Sequence, residues 1–130
     1  IYLCYTICIK MKRVKKETLK KKNFLPKYLK LVNVILPDPL TQREIEVLSA
    51  FMELEGDLVD EDRFGTQARS LVRRKFGFKT YSNLDNYIKY FKKKGVIYTD
   101  EKGKYQLNPK ISIPSGEKRI QLSFLFNIKK

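Results

Sequence analysis

The sequence predicts an α+β domain in which three helices form a core and are followed by a β-hairpin and a C-terminal β-strand or hairpin. Three observations lead there. Thr41 and Glu44 form the reciprocal pattern of a capping box and so open an amphipathic helix. Two further helical stripes are separated only by the connector Gly77-Phe78-Lys79-Thr80-Tyr81, whose glycine suits a tight inter-helix turn. From Gly95 onward the apolar period changes from about 3.6 to about 2. A length of 130 residues, with 42% apolar side chains including eight Phe and eight Tyr, is enough for one packed core and too little for most multidomain enzymes.

Taken in order, Pro26 stands where a first helical residue is tolerated. Tyr28, Leu29, Val32, Ile35 and Leu36 then recur at helical spacing up to Pro37. In the helix opened by Thr41 the expected buried stripe is Ile45, Leu48, Phe51 and Met52, extending to Leu54, with Glu46 and Glu53 outside and Gly56 as a stop. After the acidic stretch Asp57 to Asp62, Thr66 caps a helix to about Phe76, with Ala68, Leu71, Val72 and Phe76 inward and Arg69, Arg73 and Arg74 outward. Phe78 serves as an apolar plug in the connector, and Ser82 or Thr80 caps the next helix, to about Lys94. In projection Leu84, Ile88 and Phe91 share one narrow sector, opposite Asn86, Lys89, Tyr90 and Lys93, with Asn83 at the leading end. Val96 to Thr99 and Lys104 to Leu107 read as strands around the turn Asp100-Glu101-Lys102-Gly103. Ile120, Leu122, Phe124, Phe126 and Ile128 alternate with Gln121, Ser123 and Asn127 as in a strand, interrupted only by Leu125, with Ile111 and Ile113 as its expected partner across the Pro114-Ser115-Gly116 turn.

Charge is segregated along the chain. The 28 Lys and Arg against 14 Asp and Glu give a net +14, distributed as +9 over residues 1–32, −7 over 33–65, +8 over 66–98 and +4 over 99–130. Such an excess implies an anionic partner. Histidine is absent, which removes His-dependent general-base catalysis and mixed Cys/His zinc sites. Two cysteines, Cys4 and Cys8, are too few for a disulfide framework or a four-thiolate metal site and fit a reducing compartment. The carboxylates Asp57, Asp60, Glu61 and Asp62 lack the ligand spacing and central glycine of a calcium loop and read as a solvated turn. The expectation is therefore no enzyme activity, no cofactor and no metal.

Ile1 to Ile9 is apolar but only nine residues long, where a membrane span needs about 20, and basic residues follow it instead of preceding it as a secretory signal requires. The composition shift at Met11 makes residues 1–10 read as translated upstream sequence with Met11 as the start; the alternative is the cut end of a membrane segment. Residues 1–23 are expected to be a basic arm, with Lys12, Arg13, Lys15 and Lys16 as either a solubilising tail or a phosphate-binding tract, and residues 24–130 one domain.

This order of elements resembles a winged helix-turn-helix domain. Leu40-Thr41-Gln42-Arg43-Glu44-Ile45-Glu46-Val47-Leu48 is similar to the opening of the first helix in MarR-like proteins, and Ser82 to Ile97, with its Lys94-Gly95-Val96-Ile97 ending, to their recognition helix and its exit into the wing. The likeness covers residues 40–107 and is carried by degenerate motifs. Residues 108–130 do not supply the long dimerisation helices of MarR proteins, so a small phage or mobile-element regulator is the closer analogy, and the Lys-, Asn-, Ile- and Tyr-rich usage is compatible with it.

The resemblance implies binding of double-stranded DNA, with the third helix in the major groove. Asn83 and Asn86 have amides suited to adenine N6 and N7, Lys89 and Lys93 reach guanine or phosphate, and Tyr90 stacks or touches a thymine methyl. Phosphate contacts are expected from Arg69, Arg73, Arg74, Lys79, Thr80 and Ser82, and from Lys102 and Lys104 at the wing tip. A cytoplasmic, nucleoid-associated transcriptional regulator or a replication-initiation accessory follows, as a monomer, homodimer or larger assembly and without a membrane. The alternative is a virion-associated phage structural or assembly protein that uses the same module for protein and non-specific nucleic-acid contacts.

Overall fold

A computed structural model of the chain describes residues 5–8, 11–13, 19–54, 62–113, 119–122 and 127–128. They carry four helices and two two-stranded antiparallel sheets, an α+β architecture. Residues 19–112 form one unit; residues 1–18 and 113–130 form another. The expected domain of residues 24–130 is thus divided near Ile113.

In the smaller unit β1 (Tyr5–Cys8) pairs with β2 (Met11–Arg13), with Tyr5 opposite Arg13 and Thr6 opposite Lys12. Of the residues expected in the basic arm, Lys12 and Arg13 lie in a strand; Lys15 and Lys16 lie outside the described residues. The strand expected from Ile120 to Ile128 is not formed at residues 119–122 or 127–128, and 123–126 lie outside the description. Alternation alone cannot make a strand, because its backbone needs a ladder partner. Of the two residues expected to pair with it, Ile111 is buried in a turn and its carbonyl accepts the Tyr28 hydroxyl at 3.0 Å.

The larger unit begins with α1 (Lys21–Asn33), which starts a turn before Pro26 and contains it. Proline removes one helical hydrogen bond. Burial explains why the helix tolerates it: Leu25, Tyr28, Leu29 and Val32 fall at i, i+3, i+4 and i+7 and are all buried, on a helix that packs along α2 (Gln42–Glu53). Of the expected stripe Tyr28, Leu29 and Val32 are buried and Leu36 half-buried, whereas Ile35, beyond the end of the helix, is 62% exposed. Asn33 ends the helix: its amide donates to the Leu40 carbonyl at 2.9 Å, and its Oδ1 accepts the Leu40 N–H, so one side chain closes the loop as a strand would.

The capping box of α2 forms as expected, with Glu44 N–H donating to Thr41 Oγ1 at 3.2 Å and Thr41 N–H to Glu44 Oε1 at 3.0 Å. Besides Ile45, Leu48 and Phe51, Val47 and Ala50 are buried, because α1 covers one side of this helix and α3 (Thr66–Phe76) and α4 (Ser82–Lys93) the other. Its C-terminal carbonyls are met by Arg63, which donates to Phe51 and Leu54 at 3.0 Å each. Gly56 lies outside the described residues.

Two helix starts differ from expectation. Gly65, not Thr66, caps α3, and Tyr81, not Ser82 or Thr80, precedes α4. Neither cap uses a side chain. Instead, Arg69 N–H donates to the Gly65 carbonyl and Asp85 N–H to the Tyr81 carbonyl, both at 2.9 Å. The ends were legible. Gly77 and Gly95 take the left-handed conformation at φ 69° and 79°, and each is flanked by the paired bonds of a Schellman motif: Phe78 N–H to Arg73 O, and Val96 N–H to Phe91 O. Ala68 and Val72 of α3 are buried as expected, whereas Leu71 is exposed and Phe76 half-buried. Phe76 instead stacks on the half-buried Phe78 at 5.6 Å. β3 (Ile97–Thr99) and β4 (Tyr105–Leu107) form the expected hairpin with Ile97 opposite Leu107. Phe51 and Phe64, 4.9 Å apart, fill the centre with Leu84 and Phe91.

A charged pair also lies against this core. Lys94 donates from Nζ to Glu44 Oε1 at 2.8 Å and to the Pro39 carbonyl at 3.0 Å, both side chains being largely buried. Burial pushes the Glu44 carboxyl up, but the hydrogen bonds from Lys94 and Thr41 and the Lys94 charge outweigh it and hold it below its ordinary value. Its contribution to stability is therefore complete above the unfolded carboxyl's range and is lost as pH falls through the lower folded value. Lys94→Met should destabilise the fold by about 3 kcal/mol at neutral pH, since it strands a buried carboxylate. The variant should also lose less further stability than the parent between about pH 5 and pH 3. Urea midpoints across that range check both; an unchanged acid slope contradicts the assignment.

Candidate functional site

The outward face of α4 follows from its inward one. Leu84, Ile88 and Phe91 are buried at one sector, which leaves Asn83, Asn86, Lys89, Tyr90 and Lys93 exposed on the other, as the helical projection requires. Tyr90 is 51% exposed. All five candidate base-reading residues thus share one uncovered face. Asp85, the acidic residue in the first turn of α4, is paired with Arg69 at 2.9 Å.

The candidate phosphate ligands on the helices and their connector divide into two groups. Arg74, Lys79, Thr80 and Ser82 are exposed around the start of α4, with the Thr80 and Ser82 hydroxyls joined at 2.8 Å. The helix dipole adds positive potential there. Arg69 and Arg73, by contrast, are turned to internal use. Arg69 donates from Nε to the Phe64 carbonyl at 2.8 Å while its other arm holds Asp85. Arg73 donates to the Phe78 carbonyl at 3.1 Å and lies 5.0 Å from the centre of the Tyr81 ring. Hydrogen bonds with Ser70 and Arg73, followed by the charges of Arg73 and Arg74, hold the Tyr81 phenol below its ordinary range.

At the hairpin tip Lys102 and Lys104 are exposed, carried by a turn that Asp100 organises. The Asp100 carboxylate accepts the backbone N–H groups of Lys102 and Lys104, each at 2.9 Å, and the Gln106 side-chain amide at 3.1 Å. The Gln106 bond first, then the Lys104 amide, depress its pKa. From sequence, Asp100 read only as a charge weakening the basic tip. Tyr105 ties the hairpin to the helices, with Arg69 and Lys92 about its ring at 6.0 and 5.9 Å.

Sequence reasoning also missed Tyr87, which stacks on Phe78 at 6.1 Å and lies 6.4 Å from Phe91. It sits at the margin of the apolar sector, where projection gives no decision. Phe64, one of the most buried side chains, was masked by the acidic run before it. Lys94 was indistinguishable from Lys92 and Lys93 beside it. Among the described residues no helix is long and apolar enough to cross a membrane, and no three acidic or cysteine side chains are grouped to hold a metal. Asp57, Asp60 and Glu61 lie outside that description.

Two measurements separate structural from outward residues. Arg69→Ala should cost about 1–2 kcal/mol in urea unfolding, chiefly through the lost bond to Phe64 because the Asp85 pair is half-exposed, while Asn86→Ala and Lys89→Ala should stay within about 0.5 kcal/mol. Asp100→Ala should speed amide hydrogen exchange at Lys102 and Lys104 while leaving the α2 amides protected; unchanged exchange at the tip would remove the staple role. Compared with protein-family models, curated proteins and solved structures, the chain matches none, so the reading of this site rests on its own geometry.

Proposed function

We propose that the chain binds double-stranded DNA as a winged helix-turn-helix and acts as a transcriptional regulator. One observation carries the reading: Asn83, Asn86, Lys89, Tyr90 and Lys93 lie together on the uncovered side of a helix whose other side is sealed in the core. A helix of this width enters a major groove about 12 Å across. In that position the Asn83 and Asn86 amides pair with adenine N6 and N7, Lys89 and Lys93 reach guanine or phosphate, and Tyr90 meets a thymine methyl.

Arg74, Lys79, Thr80 and Ser82 grip phosphates beside the start of α4, and Lys102 and Lys104 reach the backbone or minor groove from the hairpin. Arg69 and Arg73 act at one remove, holding α4 and its connector to α3. Of the residues named for DNA contact, six are exposed cations: Arg74, Lys79, Lys89, Lys93, Lys102 and Lys104. If each neutralises one phosphate, the log-log salt slope of binding is about −5.

Selection of duplexes from a random pool tests the reading. Enrichment of a motif is expected, with selectivity at one or two positions relaxed by Asn86→Ala and affinity reduced about 10-fold by Lys89→Ala. Lys79→Ala should weaken all sequences alike and make the salt slope shallower by about 1. No enrichment, a flat salt response, or stable incorporation into a large particle that is indifferent to these changes would replace the regulator with an assembly protein.

A further inference from the structure

The most exposed large apolar side chains described in residues 19–112 lie together where α1 ends: Val34 at 74% and Ile35 at 62%, with Leu31 at 38% one turn before them. Val34 keeps helical backbone angles, and the N–H groups of Val34, Ile35 and Leu36 donate to the carbonyls of Leu31, Val32 and Asn33. The chain therefore coils on past Asn33 in a tighter turn of about three residues. Leu31, Val34 and Pro37 recur at that spacing, and all three are exposed. Lys30 is exposed just before this run and Asp38 just after it. Leu25, Tyr28, Leu29 and Val32 already fill the side of α1 that meets the core, so nothing in the larger unit draws Val34 and Ile35 inward.

That order of residues makes the surface complementary to itself. When two copies of a helix pack antiparallel about a two-fold axis at Val34, positions equally far before and after Val34 meet. Lys30 lies four residues before it and Asp38 four after, so each copy's Lys30 meets the second copy's Asp38. Leu31 and Pro37, three residues to either side, meet in the same way. A chain of net +14 repels its own copies, so a contact between them needs a local balance of charge. One lysine and one aspartate around an apolar centre supply it, in a stretch where residues 33–65 carry −7. To a polyanion the same patch offers one cation and one carboxylate, which cancel.

We propose that the end of α1 is the contact between two copies of this chain, packed antiparallel about Val34, with reciprocal Lys30–Asp38 pairs flanking the apolar centre. None of these residues is among those assigned to DNA, so the contact does not depend on that reading. Six residues a side, against the roughly 20–30 of a standard interface, make it small, and the dimer is weak and concentration-dependent. Each substitution within it counts twice, because a two-fold contact uses the same surface on both copies.

Sedimentation equilibrium of the full chain without nucleic acid, from about 5 to 500 µM, provides the test. The mean mass should rise from monomer towards dimer over that range. Val34→Glu should weaken the association 10-fold or more, while Leu71→Glu, at an exposed leucine on α3, should leave it unchanged. Lys30→Glu and Asp38→Lys should each weaken it at least 3-fold, and the two together should restore it to within about 2-fold, because the pair is then only reversed. All four positions are exposed, so the fold is retained, and urea midpoints of the variants verify this. A monomer at every concentration, a dimer indifferent to Val34→Glu, or equal loss in Leu71→Glu overturns the contact. Failure of the reversed pair to recover overturns the antiparallel arrangement. A dimer that behaves as expected but retains no duplex would leave this contact standing and the DNA-binding reading overturned.

Discussion

The Glu44 carboxylate joins the start of α2 to the residue that follows α4, and the placement of the candidate site depends on that junction. Through Oε1 it completes the cap of one helix and receives the Lys94 ammonium from the end of the other. Burial makes the carboxylate expensive, and the donors around it make it tolerable. Because Lys94 also reaches the Pro39 carbonyl, the end of α4 is held at two points. Leu84, Ile88 and Phe91 then set the rotation of the helix about its axis, since those three positions must face the core. Position and rotation together decide which side chains face outward.

A strong net charge is a poor guide to which cations meet a ligand. Arg63 caps carbonyls at the end of α2, Arg69 spans Phe64 and Asp85, Arg73 holds Phe78, and Lys94 is largely buried against Glu44. Three of these four are arginines, whose several fixed donors can satisfy more than one acceptor at once. The outward set on α4 and the hairpin is mostly lysine. The same division keeps the scaffold rigid where the outer face of α4 is presented: the ends of α3 and α4 are closed by glycine motifs, and the hairpin tip by a single aspartate.

The features legible in the sequence share a short range. The capping box needs only Thr41 and Glu44, three positions apart, and the left-handed turns at Gly77 and Gly95 need a residue without a side chain at one position. The hairpin and the inward sector of α4 are likewise properties of windows shorter than about a dozen residues. Where a local pattern competed with packing, it lost. α1 runs through Pro26 because Leu25 has a place in the core, and Ile111, expected in a strand, is buried in a turn with its carbonyl accepting the Tyr28 hydroxyl.

By itself, then, the sequence determined the kind and order of the elements in residues 40–107 and the composition of the outer face of α4. Periodicity and capping act between neighbours along the chain. Which charges remain available there is set by packing, because Glu44 and Lys94 are 50 residues apart and Arg69 and Asp85 16 apart. Partners at such separations are chosen by how helices pack, and no local pattern in the chain encodes that choice.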